Sequence, residues 1–389
     1  MKKLILFISC VLISCQNSED KKITEENATT IVLQDQTPVP VSSFIEEIHV
    51  LPLESEEEHL IGGIDNILFT KDRIIVSDMK ISKSVYIFDR NGKKQAVINR
   101  LGRGPQEYLL PFYTTLTPDE KKIAIYDNMG SKVLFYDLDG NFIEKKNVNF
   151  TFMSFEYIDE NNIVCVTYLS NDPKLKKANA NGNMAIFTDG DFNIKTSALH
   201  NPYGDNAQFP IIPEMRKLNG EIFLTPAFCD TVYKVVPTFL TPHYYLDLSA
   251  IGNTPHITAT TSHKEYSDIM NHSTLFYGAF VENSSFVMFL LSKDRTIKEK
   301  IFDKRTKKTF SLTRDYTVNK STATEWFDVY LLNSKYVCDD QFVTAIPAYE
   351  ILMGYSAIAQ VFPQLTGLTQ DSNPVLVFYK LKHPEQPEN

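Results

Sequence analysis

Apolar and polar residues alternate along most of this chain, and the alternation recurs in register. Arg73–Asp78 (RIIVSD) and Lys122–Asp127 (KIAIYD) each run from a basic residue through apolar positions to an Asp, at an offset of 49. Ser84–Gly92 (SVYIFDRNG) and Lys132–Gly140 (KVLFYDLDG) each carry a strand into an Asn-Gly or Asp-Gly turn, at an offset of 48. Short alternating runs bounded by turn residues predict half-buried strands. Asn-Gly and Asp-Gly supply the positive φ that tight hairpin turns require. Short antiparallel strands repeating at nearly 50 residues predict the four-stranded blade of a β-propeller.

Later units are degenerate, but they complete a ring of six. Asn162–Thr167 and Asn183–Gly190 predict a third blade, with 171–182 as an inserted loop. Gly220–Thr225 and Asp230–Val235 predict a fourth. Ser285–Leu291, Thr296–Phe302 and Thr309–Leu312 predict a fifth, and Trp326–Leu332, Gln341–Ala345 and Pro374–Lys380 a sixth. Lys264–Asn271 and Ile351–Val361 read as short helical insertions. The strand Ile45–Leu51 has no blade of its own and is expected to join the last blade and close the ring. The predicted fold class is therefore all-β: a six-bladed β-propeller of four-stranded antiparallel blades.

The N-terminus adds a destination. Lys2 and Lys3 precede an apolar stretch, Leu4–Ile13, too short for the roughly 20 residues of a membrane-spanning helix. Leu12-Ile13-Ser14-Cys15 has the order of a bacterial lipobox, in which the thiol accepts a lipid and the small residue before it permits cleavage. Cys10 has Phe7 three residues upstream and a shorter apolar run, so Cys15 is the expected lipidation site. No Asp follows Cys15, and Ser18-Glu19-Asp20 resembles the acidic export signal of some Gram-negative surface lipoproteins. The expected location is the outer membrane, by a lipid (palmitate) anchor, with display at the cell surface as an extension. The expected organisation is a leader at 1–14, the lipidated Cys and a flexible tether at 15–43, the propeller at 44–383 and a tail at 384–389.

Composition limits the function classes. The formal net charge is -9, and removal of the leader takes two lysines and no acid. An acidic chain disfavours nucleic acid, whose affinity comes largely from Lys and Arg on phosphates. Cys165, Cys229 and Cys338 are far apart in strand-like stretches and read as buried thiols, with one bridge among them left open. Asp137-x-Asp139-Gly140 and Asp189-Gly190-Asp191 lack the Glu that completes a calcium loop and read as turns. The eight His show no HExxH or His-x-His pattern, so no metal and no cofactor is signalled. No Gly-x-Ser-x-Gly occurs either, and no catalytic residue is assigned. Phe150–Tyr157 reads as blade core, while Tyr203, Tyr244, Tyr266 and Tyr277 are placed to stack on a sugar. Gly102–Tyr108 (GRGPQEY) links two blades. It reads as a rigid turn, or as a cradle for an anion in which Arg103, Glu107 and Tyr108 are the candidate ligand-binding residues.

Leu51–Glu54, Ile61-Gly62, Ser84–Asp89, Gly102–Tyr108, Asp230–Val235 and Asn373–Val377 together resemble the six-bladed β-propeller lipoproteins of Gram-negative bacteria, which are related to NHL-repeat propellers. These pieces span most of the chain. The resemblance implies an envelope location and a part in carbohydrate or peptide uptake. The expected function is binding of a glycan, peptide or protein partner without catalysis. The alternative is a propeller enzyme, a polysaccharide lyase or glycoside hydrolase, with its residues converging from several blades on the central channel.

Overall fold

In the computed structural model, residues 28–34, 36–167, 171–201, 213–252, 257–258, 260–294, 296–313, 327, 330–331, 334–353, 358 and 361–383 are described. Cys15 and its leader, Tyr203, His256, Trp326 and the tail 384–389 lie outside them. The alternating runs form six antiparallel sheets arranged as the blades of a propeller. Blade 1 is Asn66–Phe69, Arg73–Asp78, Ser84–Asp89 and Lys94–Ile98, from the inner to the outer strand. Blade 2 is Pro111–Leu116, Lys122–Asp127, Lys132–Asp137 and Phe142–Asn147. Blade 3 is Ser154–Asp159, Asn162–Val166, Asn183–Thr188 and Ile194–His200. Blade 4 is Glu214–Leu218, Glu221–Thr225, Thr231–Val236 and Phe239–Asp247. Blade 5 is Thr274–Glu282, Phe286–Lys293, Thr296–Asp303 and Lys308–Thr313. In blade 6, Tyr336–Cys338, Gln341–Ile346 and Val375–Leu381 are joined on the outside by Ile45–Pro52.

That last pairing closes the ring. Val377 faces Val50 and Leu376 faces Leu51 across an antiparallel ladder. Val50, Leu376, Val377 and Tyr379 are buried where the chain's beginning meets its end. A β-bulge interrupts the pairing of the third and outer strands in blades 1, 2, 3, 4 and 6. Bulges increase local twist, and twist is what lets blades pack face to face around an axis.

Two residues recur at the blade ends. Asp89, Asp137 and Asp189 close the third-to-outer turns, each accepting backbone N–H groups two and four residues ahead. Gly92 and Gly140 supply φ of +79° and +82° in two of these turns. The second pair, Asp78 and Asp127, is fully buried at the ends of the second strands. Asp78 accepts from the N–H groups of Gly62, Gly63 and Ile81. Asp127 accepts from Leu109, Leu110 and Gly130. Each carboxylate thus pins its own turn to the linker that enters its blade.

Three expectations change. The segment expected to be a tether is packed from residue 28 onward. Thr29–Val32 adds in parallel to the outer strand of blade 4, and Val39–Pro40 to that of blade 5. Ile31, Leu33 and Val41 have no exposed surface, so burial of apolar side chains on open sheet edges outweighs the segment's polar composition. Blade 6 begins at Tyr336, whereas the described residues of Trp326–Leu332 (Phe327, Tyr330 and Leu331) are helical. The inserted loop 171–182 contains a helix, Pro173–Lys177, capped by Asp172, whose side chain accepts from the N–H groups of Lys174 and Leu175. Lys264–Asn271 is the core of a helix at His263–His272 with a Ser262–Glu265 capping box. Cys165, Cys229 and Cys338 form no disulfide with one another.

Asp127→Ala should cost about 2–4 kcal/mol, since it strands buried N–H groups. Asp137→Ala, at an exposed turn, should cost about 1 kcal/mol. Urea denaturation of both variants checks the order.

Candidate functional site

The inner strands line the central channel, and those of blades 1 and 2, 2 and 3, 4 and 5, and 5 and 6 touch each other around it. Side chains from three of them converge on Glu156. Tyr113 and Thr115 stand two residues apart on the inner strand of blade 2, so they share a face. Glu156 comes from blade 3, between Phe155 and Tyr157, whose rings pack on the opposite side in an aromatic cluster. Its carboxylate is 2% exposed. It accepts from the Thr115 hydroxyl at 2.6 Å and the Tyr113 hydroxyl at 3.1 Å. Lys217, from the inner strand of blade 4, places Nζ 3.8 Å away.

Burial pushes the Glu156 pKa up, against the opposing pull of Lys217, Thr115 and Tyr113. Burial, and then the adjacent Glu156, push the Tyr113 phenol well above its ordinary range. Arg216 lies beside this group, donating to the Lys335 carbonyl at 3.3 Å and pairing with Glu214 at 3.5 Å.

Above Glu156 the channel widens into a basin of about 450 Å³. Its rim is made by first-to-second turns of four blades, carrying Lys71, Glu120, Asn219 and Asp339. Thr115, Leu116, Ile158 and Lys217 line it more deeply. Phe69 and Arg90 form a wall at the seam between blades 1 and 6. Arg90 is held there by four partners. It donates to the Thr70 carbonyl at 3.2 Å and to Cys338 Sγ at 3.1 Å, pairs with Asp339, and lies over the Phe69 ring. Burial raises the Cys338 thiol to about 11, so it is a neutral acceptor. The basin therefore offers cations, anions, hydroxyls and an amide around a partly apolar floor.

The residues singled out by sequence lie elsewhere. Arg103, Glu107 and Tyr108 sit on the linker between blades 1 and 2, at the face of the second-to-third turns, opposite the basin. Tyr108 has no exposed surface. Its hydroxyl meets the carbonyls of Lys83 at 2.7 Å and Ile98 at 3.1 Å, and accepts from the Arg100 N–H. Burial raises it to about 12. Glu107 accepts the Gly104 N–H at 2.7 Å, and a Cβ on Gly102 would come within 2.0 Å of that carboxylate. These groups hold the turn together, while Arg103 points out exposed. The aromatic candidates are also engaged. Tyr244 is buried, and Tyr266 and Tyr277 pack edge-on to Phe228. Sequence reading missed Tyr113, Thr115, Glu156 and Lys217. The available signal was Glu156 itself, a lone carboxylate inside an aromatic run.

A second buried carboxylate behaves oppositely. Glu282 lies between blades 4 and 5, accepting from Tyr244 and Lys304 at 2.6 Å each, with His243 at 3.3 Å. Burial acts to raise its pKa, but His243, Lys304 and Tyr244 outweigh that and bring it down to about 2. A lowered carboxyl stabilises the fold above its ordinary value and loses that contribution as pH falls. Glu282→Gln should therefore cost about 2–3 kcal/mol at neutral pH and flatten the loss of stability between pH 4.5 and about 2. A raised carboxyl has the reverse sign. Glu156→Gln should hold or increase stability at neutral pH and remove a decline that begins as pH rises above 4.5. Thermal unfolding across pH checks both.

Comparison with solved structures agrees with the six-bladed architecture. A candidate exported protein of Bacteroides fragilis NCTC 9343 superposes with a TM-score of 0.70 at 18% identity, covering 91% of this chain and all of that one. A DUF4221-family member from Bacteroides vulgatus ATCC 8482 gives 0.56 at 11% identity, covering 87% and 97%. No curated protein matches the chain. The model of a domain of unknown function, DUF4934, matches residues 24–380, so a six-bladed propeller with its basin at the channel mouth is the form taken here by a member of the DUF4934 family.

Proposed function

We propose that this chain is an exported, lipid-anchored envelope protein whose propeller binds a small polar ligand, a glycan or peptide segment, in the basin without transforming it. The observation that carries the reading is the basin itself: about 450 Å³, built from five blades and lined at depth by Thr115 and Lys217, both of which are held by the buried Glu156. Ligand sites are concave and pair apolar walls with a few convergent polar groups. Export is supported by the leader and lipobox ending at Cys15 and by the exported description of the B. fragilis neighbour.

Calorimetric titration of the chain from residue 16 onward, against oligosaccharide and peptide panels, tests the binding reading. Lys217→Met and Thr115→Val should each weaken any ligand found by about tenfold, the scale of one hydrogen bond to a charged group. New reducing ends or unsaturated sugars in the same mixtures would instead establish the enzymatic alternative. Cys15→Ser should abolish incorporation of labelled palmitate in cells. Unchanged labelling would remove the anchor from the proposal.

A further inference from the structure

The charges around the basin are sorted by depth. Its rim and wall hold both signs, Lys71 and Arg90 against Glu120 and Asp339, and Arg90 is paired with Asp339. Deeper down the lining is Thr115, Leu116, Ile158 and Lys217, so Lys217 is the one charged side chain there among the described residues. Glu156 lies behind this lining, 2% exposed, with one carboxylate oxygen on the Thr115 hydroxyl and the other on the Tyr113 hydroxyl.

Lys217 is also short of acceptors. Partly buried lysines elsewhere in the ring land on one: Lys132 on the Glu107 carbonyl at 2.7 Å, Lys146 on the Gly190 carbonyl at 2.8 Å and Lys304 on Glu282 at 2.6 Å. Lys217, its side chain 30% exposed, has the Glu156 carboxylate at 3.8 Å, beyond hydrogen-bond reach, and no hydrogen-bond partner among the described residues. Glu156 therefore holds the ammonium in place by charge and leaves its N–H donors to a ligand.

The group that meets those donors must be an acceptor. An anion does so best, because a hydrogen bond with both partners charged is stronger than a neutral one. The neighbours decide what carries the anion. Leu116 and Ile158 share this depth with Lys217, and Thr115 alone adds a hydroxyl. A sugar acid bears hydroxyls on most of its ring carbons, and these would lose their water against Leu116 and Ile158. The last residue of a peptide joins a carboxylate to a single side chain, which can be apolar throughout. We infer that the basin receives the C-terminus of a peptide, with its carboxylate on Lys217 and its last, apolar side chain against Leu116 and Ile158. This rests on the reading of the basin as a binding site and narrows the ligand that it takes.

Calorimetric titration of the chain from residue 16 onward tests it, with tripeptides that end in Ala, Val or Leu, each as the free acid and as the C-terminal amide. The free acid should bind about tenfold or more tightly than the amide, the scale of one hydrogen bond to a charged group. Lys217→Met should bring the two forms level, and Lys217→Arg should keep the preference. Glu156→Gln removes the competing carboxylate, so it should tighten the free acid several-fold and leave the amide unchanged. Cooperative thermal unfolding shows that each variant is folded. Equal binding of acid and amide, or a preference that survives Lys217→Met in the folded variant, overturns the inference. Binding of a uronate-bearing or neutral oligosaccharide, with neither peptide form bound, overturns it and leaves the basin reading in place. No binding by any peptide or oligosaccharide overturns that reading and this inference with it.

Discussion

The fold depends on one ladder, the pairing of Ile45–Pro52 with Val375–Leu381. Every other blade is made from consecutive strands, but blade 6 takes its outer strand from the far end of the chain. Until that strand docks, blade 6 leaves the outward-facing backbone groups of Val375–Leu381 unpaired, and an unpaired edge invites pairing with other chains. The contact joins residues more than three hundred positions apart, so its loop-closure cost is met only once the intervening blades are compact. Arg90 reinforces the same seam at the channel mouth, where it grips Asp339 and Cys338 of blade 6 from blade 1.

Within the ring, polarity is placed by position in the blade. Outer and middle strands bury apolar faces between blades. Inner strands have the channel on one side, and there the protein tolerates Glu156, Lys217 and Arg216. The cost of burying Glu156 is offset by hydroxyls from a neighbouring blade. The basin is therefore a consequence of how six inner strands converge.

Blades 1 and 2 were legible because their chemistry repeats: the same buried Asp, the same Asp-anchored turn, the same spacing. Later blades keep fewer of those markers: blade 3 retains the Asp-anchored turn at Asp189 but has Thr167 beyond its second strand. Blade 4 has Thr225 where blades 1 and 2 have Asp78 and Asp127. The inner strands of blades 1 to 5 were not named from the sequence, and for two of them the physical reason is plain. Glu214–Leu218 (EMRKL) is polar because it faces the channel, and Thr274–Glu282 breaks its alternation at an irregularity between Phe276 and Phe280. Blade 6's first strand is only three residues long, Tyr336–Cys338, which leaves almost no pattern to read. The site was hidden for a different reason. Positions 115, 156 and 217 meet only through the ring, and no local spacing joins them. The Gly102–Tyr108 stretch stood out in sequence because a tight turn demands unusual residues, so conspicuous chemistry marked the scaffold.

The N-terminal belt has a mechanical consequence. Thr29–Val32 lies parallel to Tyr244–Asp247, the chain then crosses to blade 5 where Lys300 holds the Gln34 carbonyl, and Val39–Pro40 follows before the closing strand begins. A pull on the N-terminus along the strand axis loads the first ladder in shear, with its hydrogen bonds sharing the force instead of breaking in turn. Blades 4 and 5 must release their added strands before tension reaches Ile45. The belt therefore works as a strain relief, keeping any load on the front of the chain away from the seam that holds the ring shut.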